Sequence, residues 1–414
     1  MTPTTDLAAD AIQPGLFEFW VRPDREGMFA KLRAERPVVF HEEAEFPGFA
    51  KGPGFWSLTR YDDVVRVSRD SETFISGKGT NIGDMPLEML EFFGSMINMD
   101  APRHTKLRKL VNRGFTPRVV AGLEDTVRAT ARRIVADVAP KGGCDFVEEI
   151  AARLPLKLIC DMMGIPEADN RRMFELSNVI LGFGDPEYGV TIDVLMNAAV
   201  ELSQYAQALG EERMANPRQD ITSVLMTADV DGDRITASEF ASFFILLVVA
   251  GNETTRNAIS HGMKALTDFP DERRKWMADF EGVAPTAIEE MVRWATPVIH
   301  FRRTVTRDVE IGGHRVRAGD KVVLWYSSAN RDAAAFVDPY RFDVTRSPNE
   351  HVGFGGGGAH YCLGANLARR EMKVMFEELF RTLPDIHVVT PPDMLLSGFI
   401  HGIKRMRVEW TPVG

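Results

Sequence analysis

Cysteine is scarce in this chain. Cys144, Cys160 and Cys362 are the only three among 414 residues, too few and too far apart for a disulfide scaffold or a CxxC zinc site. A reducing, intracellular setting fits that usage. Positive charge is also in deficit: 49 Lys plus Arg against 59 Asp plus Glu leave a formal charge of −10, the wrong sign for unassisted nucleic-acid binding. Residues 1–10 are polar and have neither the basic start nor the apolar stretch of a signal peptide. Long hydrophobic runs are missing as well. The longest, Phe243–Ala250, has eight residues where a membrane-spanning helix takes about twenty. A buried core helix is expected there, and a membrane anchor is not. The nine histidines contain no HExxH pair or other zinc spacing.

What is present is an ordinary globular balance, 44% hydrophobic and 26% charged, in a chain long enough to bury a large core. Helical periodicity prevails, without long linkers, repeats or low-complexity tracts, so one domain over residues 1–414 is expected, with residues 1–18 as an extended N-terminal segment. The absence of Gly and Pro predicts helices over Leu123–Ala139 and Ile192–Leu209. A long central helix is predicted within Arg234–Met263, opened by the capping box Thr236-x-x-Glu239. Another is predicted over Ala365–Leu379, with Pro384 shortly beyond. Strand signals are confined to Phe55–Leu58, Val305–Ile311 before Gly312-Gly313, and Lys321–Tyr326. The fold class is therefore mainly α with a small β region.

Four segments carry chemistry. In Gly353-Phe354-Gly355-Gly356-Gly357-Gly358-Ala359-His360-Tyr361-Cys362-Leu363-Gly364, a flexible loop brings a cysteine to the start of a helix. A GxGxxG match can be drawn through Gly353, Gly355 and Gly358, but no buried strand precedes it and no second strand with an acidic residue follows. A nucleophilic cysteine would need a positioned base. A buried, inert cysteine and a thiolate metal ligand remain, and the second is served by the N–H groups and dipole of a helix N-terminus. In Ala250-Gly251-Asn252-Glu253-Thr254-Thr255, an acid and two threonines interrupt the apolar helix. Either something polar receives them, or the threonines bond back to the preceding turn. Glu290 and Arg293 stand three apart, by themselves an ordinary helix ion pair. His104 and Arg108 stand four apart and can reach one anionic group together, or they can form a solvated face.

Taken together and in this order, these segments resemble the cytochrome P450 superfamily, in its bacterial soluble class, over essentially the whole chain from about Phe19. The resemblance implies a triangular helical prism around haem b, with Cys362 as the axial thiolate that favours O–O cleavage. Gly358, His360 and Gly364 match the ligand loop in register, and Phe354 stands one residue further from the cysteine, so the loop has an inserted Gly. It further implies that Gly251 and Ala250 make room at the haem face, that Thr254 bonds dioxygen or its water, and that Glu253 feeds protons. His104, Arg108, Arg303 and His360 would hold the haem propionates. Glu290, Arg293 and Arg341, in Asp338-Pro339-Tyr340-Arg341-Phe342, would form an ion-pair lock under the loop.

The activity so implied is reductive activation of dioxygen and hydroxylation of a C–H bond. No flavin or Fe–S motif occurs in the chain, so a ferredoxin and a ferredoxin reductase are expected as electron donors, in the cytoplasm. Arg103, Lys106, Arg108, Lys109, Arg113 and Arg369 form a basic cluster that could dock an acidic ferredoxin, or a merely solvated face. The segments Ile159–Pro166, Ile180–Pro186 and Phe399–Lys404 resemble the methyl-branched-lipid omega-hydroxylases and their sterol side-chain relatives. That likeness implies terminal hydroxylation of a hydrophobic, lipid-like substrate, a methyl-branched lipid or isoprenoid, with sterol side chains as the alternative. Leu181, Leu246, Val249, Ala250, Val298 and Phe399 would wall an apolar pocket. A haem-binding sensor is the reading of another class, and it would have no need of Glu253 and Thr254.

Overall fold

The structure is a computed structural model that describes residues 2–44, 51–112, 114–115, 122–228 and 234–413. Its organising element is the helix Ala237–Asp268, called here the central helix. The Thr236 side chain accepts from the Glu239 N–H at 3.1 Å and the Glu239 carboxylate accepts from the Thr236 N–H at 3.1 Å, so the capping box is made from both sides. The other long helices run Glu124–Val138, Arg153–Met163, Asn170–Leu181, Ile192–Ala215, Phe280–Ala295 and Ala365–Thr382.

Two large apolar cores share the central helix. Its first half, Phe240–Val248, packs with Arg153–Met163, Asn170–Leu181 and Ile192–Ala215. Its second half, Ala258–Leu266, packs with Glu124–Val138, Phe280–Ala295 and Ala365–Thr382, around Trp276, Phe342 and Phe376. One continuous helix through both cores ties the body into a unit with no linker between halves.

The largest sheet has five strands in the order Val38–His41, Phe55–Leu58, Lys321–Trp325, His300–Val305, Phe74–Ile75. Phe55–Leu58 pairs in parallel with Lys321–Trp325, and the other neighbours are antiparallel. The expected strand Val305–Ile311 is two strands: His300–Val305 ends where Thr306–Asp308 turns, and Val309–Ile311 then makes a hairpin with His314–Val316. The Lys321 strand stops at Trp325 because Tyr326 begins a short helix. The N-terminal segment is less extended than its composition suggests, with a 3₁₀ turn at Ala9–Ala11 and a short helix from Phe17. Ile12, Phe19 and Trp20 give the reason: they are buried with Phe29 and Trp325, and apolar side chains dock wherever a face is open to them.

Candidate active site

Between the sheet and the first half of the central helix lies a cavity of about 460 Å³. Its floor is the glycine-rich loop. Cys362 donates its backbone N–H to the Phe354 carbonyl at 3.0 Å, and the helix Ala365–Thr382 starts three residues on. Cys362 lines the cavity and is the one cysteine exposed there. Burial pushes its thiol up, while the N–H groups of Gly364 and Ala365 and the guanidiniums of Arg108 and Arg369 favour the thiolate. Cys144 and Cys160 lack such a setting: both are buried in apolar cores, and burial raises each to about 12.

The inserted glycine has a visible accommodation. Gly355, Gly357 and Gly358 have φ of 98°, 90° and 81°, a region that side chains disfavour. A Cβ on Gly358 would lie 2.4 Å from the Ser68 carbonyl oxygen, and one on Gly357 would lie 3.0 Å from Arg69 Nε. The extra residue is thus taken up against the helix Tyr61–Arg69. Phe354 keeps its place on the cavity wall, with the Arg369 guanidinium 4.5 Å from its ring.

Beside the floor four cationic or imidazole side chains converge. Arg303 is 3% exposed and, among the described residues, no carboxylate pairs with it or with Arg108. The Nη1 of Arg303 donates to the Arg302 carbonyl at 2.8 Å and the Nη2 of Arg108 to the Tyr361 carbonyl at 2.7 Å. His104 is buried with Nε2 unpartnered, 4.3 Å from the His360 ring, centroid to centroid. Asp100, the neighbouring acid, is turned away onto the N–H groups of Ser76 and Gly77, each at 2.8 Å. A buried guanidinium without an anion at Arg303, a half-buried one at Arg108 and an orphaned imidazole nitrogen at His104 leave a site that an anionic group would complete. Carboxylates reaching in from a flat ligand on the floor would satisfy all four, so the residues fit a haem and its propionates.

Across the cavity, the central helix offers Thr254 and Glu253. Thr254 Oγ1 donates to the Ala250 carbonyl at 2.8 Å, the back-bond to the preceding turn. Its oxygen can still accept a hydrogen bond. Glu253 is 1% exposed, is bound on one oxygen by Arg256, and has no partner on Oε1. Burial raises its pKa against the pull of Arg256. Ala250 and Gly251 line the cavity, but a Cβ on Gly251 would meet the Ile159 side chain at 3.3 Å. The small residue there serves the close approach of Arg153–Met163 to the central helix.

Leu181, Leu246, Val249, Val298 and Phe399 all line the same cavity. Sequence reading missed Met85, Met89 and Phe93, because the segment that bears them has no motif. It also missed Tyr326, which is buried next to Arg303 where the strand ends. Sequence reading places it as the last residue of the strand Lys321–Tyr326, with no local signal that joins it to Arg303. The ion-pair lock differs from expectation in one member. Glu290 binds Arg293 and Arg346, whereas Arg341 has its side chain 55% exposed and its guanidinium 3.5 Å from Glu272. Arg341 contributes its carbonyl, which accepts from Arg346 at 2.8 Å and from Arg293 at 3.3 Å.

The basic cluster is not one free face. Arg108 turns to the cavity, Arg103 pairs with Glu239, and Arg369 is held by both oxygens of Glu289. Lys106 and Lys109 are exposed, and Arg113 lies outside the described residues. No helix among the described residues is long and apolar enough to cross a membrane.

A floor that offers a sulfur, beside cations left without anions, is what an iron porphyrin needs on its proximal side, and it defines a haem-thiolate protein. Comparison with known proteins agrees. The sequence profile of the Cytochrome P450 family matches residues 171–395. A protein of Mycobacterium tuberculosis named methyl-branched lipid omega-hydroxylase is 52% identical over 415 residues, covering 99% of this chain and 97% of the relative. The steroid C26-monooxygenase of Mycolicibacterium smegmatis is 42% identical over 390 residues, covering 93% and 90%. A solved cytochrome P450 of Mycobacterium marinum, in complex with pseudoionone, superposes with a TM-score of 0.92 at 45% identity, covering 98% of this chain and 100% of that one. The chain belongs to the cytochrome P450 family. It is accordingly a haem-binding monooxygenase that takes its electrons from redox partners.

Proposed function

We propose that the protein hydroxylates the terminal methyl group of a methyl-branched lipid or isoprenoid in the cytoplasm, with haem b, dioxygen and electrons from a ferredoxin and its reductase. The observation that carries this reading is the cavity wall. Leu181, Leu246, Val249, Val298 and Phe399 offer apolar contact along the approach to Cys362 and no hydrogen-bonding side chain among them. Such a surface recognises hydrocarbon by area and cannot read a polar scaffold. The names of the relatives at 52% and 42% identity point the same way.

Cys362 would hold haem, and His104, Arg108, Arg303 and His360 would hold its propionates; bound there, it would supply the activation of dioxygen. The chain supplies the rest. Leu246, Val249, Val298 and Phe399 exclude water and hold the substrate end on. Thr254, with its hydroxyl proton on the Ala250 carbonyl, keeps its oxygen free to accept a hydrogen bond at the cavity, and Glu253, buried and held by Arg256, is the group that delivers protons. A non-catalytic sensor would have no use for that acid and alcohol pair. Sterol side chains are the second substrate reading, favoured by the relatives named for steroid C26 oxidation.

The test is reconstitution of the haem-loaded protein with ferredoxin and reductase, followed by mass spectrometry of products from branched lipids, isoprenoids and sterols. Terminal alcohols from the branched chains are expected. Turnover only of polar aromatic compounds overturns the reading.

A further inference from the structure

Arg256 lies one turn after Glu253 on the central helix and is 7% exposed. Its Nη2 donates to Glu253 Oε2, and its Nη1 donates to Asn178 Oδ1 at 3.1 Å. The guanidinium also lies 5.9 Å from the centroid of the Phe174 ring. Phe174 and Asn178 are one turn apart on the helix Asn170–Leu181, so a single face of that helix grips the guanidinium at two points.

The helix ends at this grip. The Asn178 carbonyl accepts the Gly182 N–H at 2.8 Å, and Ile180, Leu181 and Phe183 line the cavity. The amide that holds Arg256 therefore rides on the segment against which a hydrocarbon chain in the cavity would press. Arg256 is long and buried, and it keeps one rotamer only while its N–H groups have partners. Glu253 in turn has Arg256 as its one ion-pair partner among the described residues, with its other oxygen open.

We infer that Asn178 is a positioning residue for proton delivery: it fixes Arg256, and through Arg256 it fixes Glu253, so that a chain seated against Ile180 and Leu181 sets the geometry of the acid. This rests on the reading of Glu253 as the proton-delivering group. The consequence is a link between occupancy and chemistry. A substrate too short to reach Ile180 and Leu181 leaves the helix end unsupported, the guanidinium loosely held and the acid misplaced.

The test uses the haem-loaded protein with its redox partners and the variants Asn178→Ala, Asn178→Gln and Glu253→Gln. Three quantities are read: substrate affinity from the haem spectrum, the share of consumed electrons that ends as hydrogen peroxide, and the pH midpoint of the Glu253 carboxyl. The midpoint comes from infrared difference spectra taken against Glu253→Gln. Glu253 is faced by Arg256 and Asn257 from its own helix and lies within electrostatic reach of Tyr188, which follows the helix Asn170–Leu181.

In Asn178→Ala affinity should stay within about threefold while the peroxide share rises several-fold. The carboxyl midpoint should move up by about one unit as the opposite charge loosens. Asn178→Gln, which keeps an amide oxygen, should recover most of both effects. Asn178→Ser replaces the alanine variant, with the same expectations, if the latter fails to take up haem. Native coupling and a native midpoint overturn the inference, as does a loss of affinity with coupling unchanged, which would make Asn178 a support of the wall alone. Unchanged coupling in Glu253→Gln overturns the reading of the acid instead, while the midpoint still reports on the Asn178 contact.

Discussion

Arg346 donates from Nε to Glu290 Oε2 at 3.0 Å, the same oxygen that Arg293 Nε reaches at 2.7 Å. Two guanidiniums thus share one carboxylate that is 0% exposed. Their remaining N–H groups hold carbonyls of the chain beneath the ligand loop: Arg293 takes Asn330 and Pro339 at 2.7 and 2.9 Å, and Arg346 takes Val337 at 2.6 Å. Removing one partner strands charge in the interior. Arg346→Leu should therefore cost about 3–5 kcal/mol and lower haem retention, whereas Arg341→Ala should stay within about 0.5 kcal/mol, as exposed side chains do. Chemical unfolding with the Soret absorbance followed in parallel checks both, and equal losses would refute the assignment of Arg346 to the lock.

Cys362 is the one cysteine that the cavity can use, since Cys144 and Cys160 are shut into the two cores with thiols raised to about 12. Cys362→Ser should abolish the red-shifted Soret band of the reduced carbon monoxide complex. Cys144→Ser and Cys160→Ser should keep it. The reverse pattern would move the ligand elsewhere.

Thr254 spends its hydroxyl proton on the Ala250 carbonyl and keeps its oxygen for an incoming group. Thr254→Ala should bind substrate within about threefold of native and yet lose at least tenfold or so in product formation, the direct contribution of a positioned proton-transfer group being about 100-fold or more. The missing electrons should appear as hydrogen peroxide. Product yield per NAD(P)H that matches the native protein would deny Thr254 this part.

The sequence carried the chemistry of the site further than its walls, and the reason is physical. Cys362, Glu253, Thr254, His104 and Arg303 are residue types that an apolar or tightly turned setting makes conspicuous, and the cavity gathers them all. The capping box at Thr236 and Glu239 was equally legible, because cap chemistry is local. Met85, Met89 and Phe93 were not, since apolar residues in and just before the short helix Leu87–Gly94 look the same whether they face a cavity or the core. Arg341 and Arg346 are five apart and both near the lock, so only the path of the chain decides which guanidinium turns inward. The break at Thr306–Asp308 was hidden for a similar reason, as the strand propensity on both sides of it is unbroken.

His300 is buried, with its Nδ1 on the Gly398 carbonyl at 2.9 Å and its ring 5.0 Å from Trp325 and 5.8 Å from Phe399. Burial depresses its pKa to about 4. Between that value and the usual 6.5 the unfolded chain binds a proton that the folded chain does not, so stability falls as the pH is lowered through this window. The loss attributable to His300 should reach about 2 kcal/mol at pH 5. His300→Phe keeps the ring and removes the titration, so its unfolding free energy should drop less steeply from pH 7 to pH 5 than that of the native protein, even if it is lower throughout. Parallel slopes would mean that His300 takes up its proton in the fold.

The walls of the cavity decide what kind of substrate is oxidised and at which end. Leu246, Val249, Val298 and Phe399 give contact area without hydrogen-bond partners, so affinity should grow by about 0.8 kcal/mol per methylene buried, close to fourfold in the dissociation constant. The gain should stop once the chain has filled the space as far as Leu181. Phe399 and Val298 stand on neighbouring segments joined by the Val298 and Ile400 bridge, so their side of the wall is braced. A braced apolar wall should present the end of a chain to the reacting centre, although internal C–H bonds are weaker. Methyl-branched lipids and isoprenoids should accordingly yield terminal alcohols. Phe399→Ala opens the brace and should shift products toward internal positions while weakening binding several-fold. Mainly mid-chain hydroxylation by the native protein, read by mass spectrometry, would show that the wall does not enforce end-on entry.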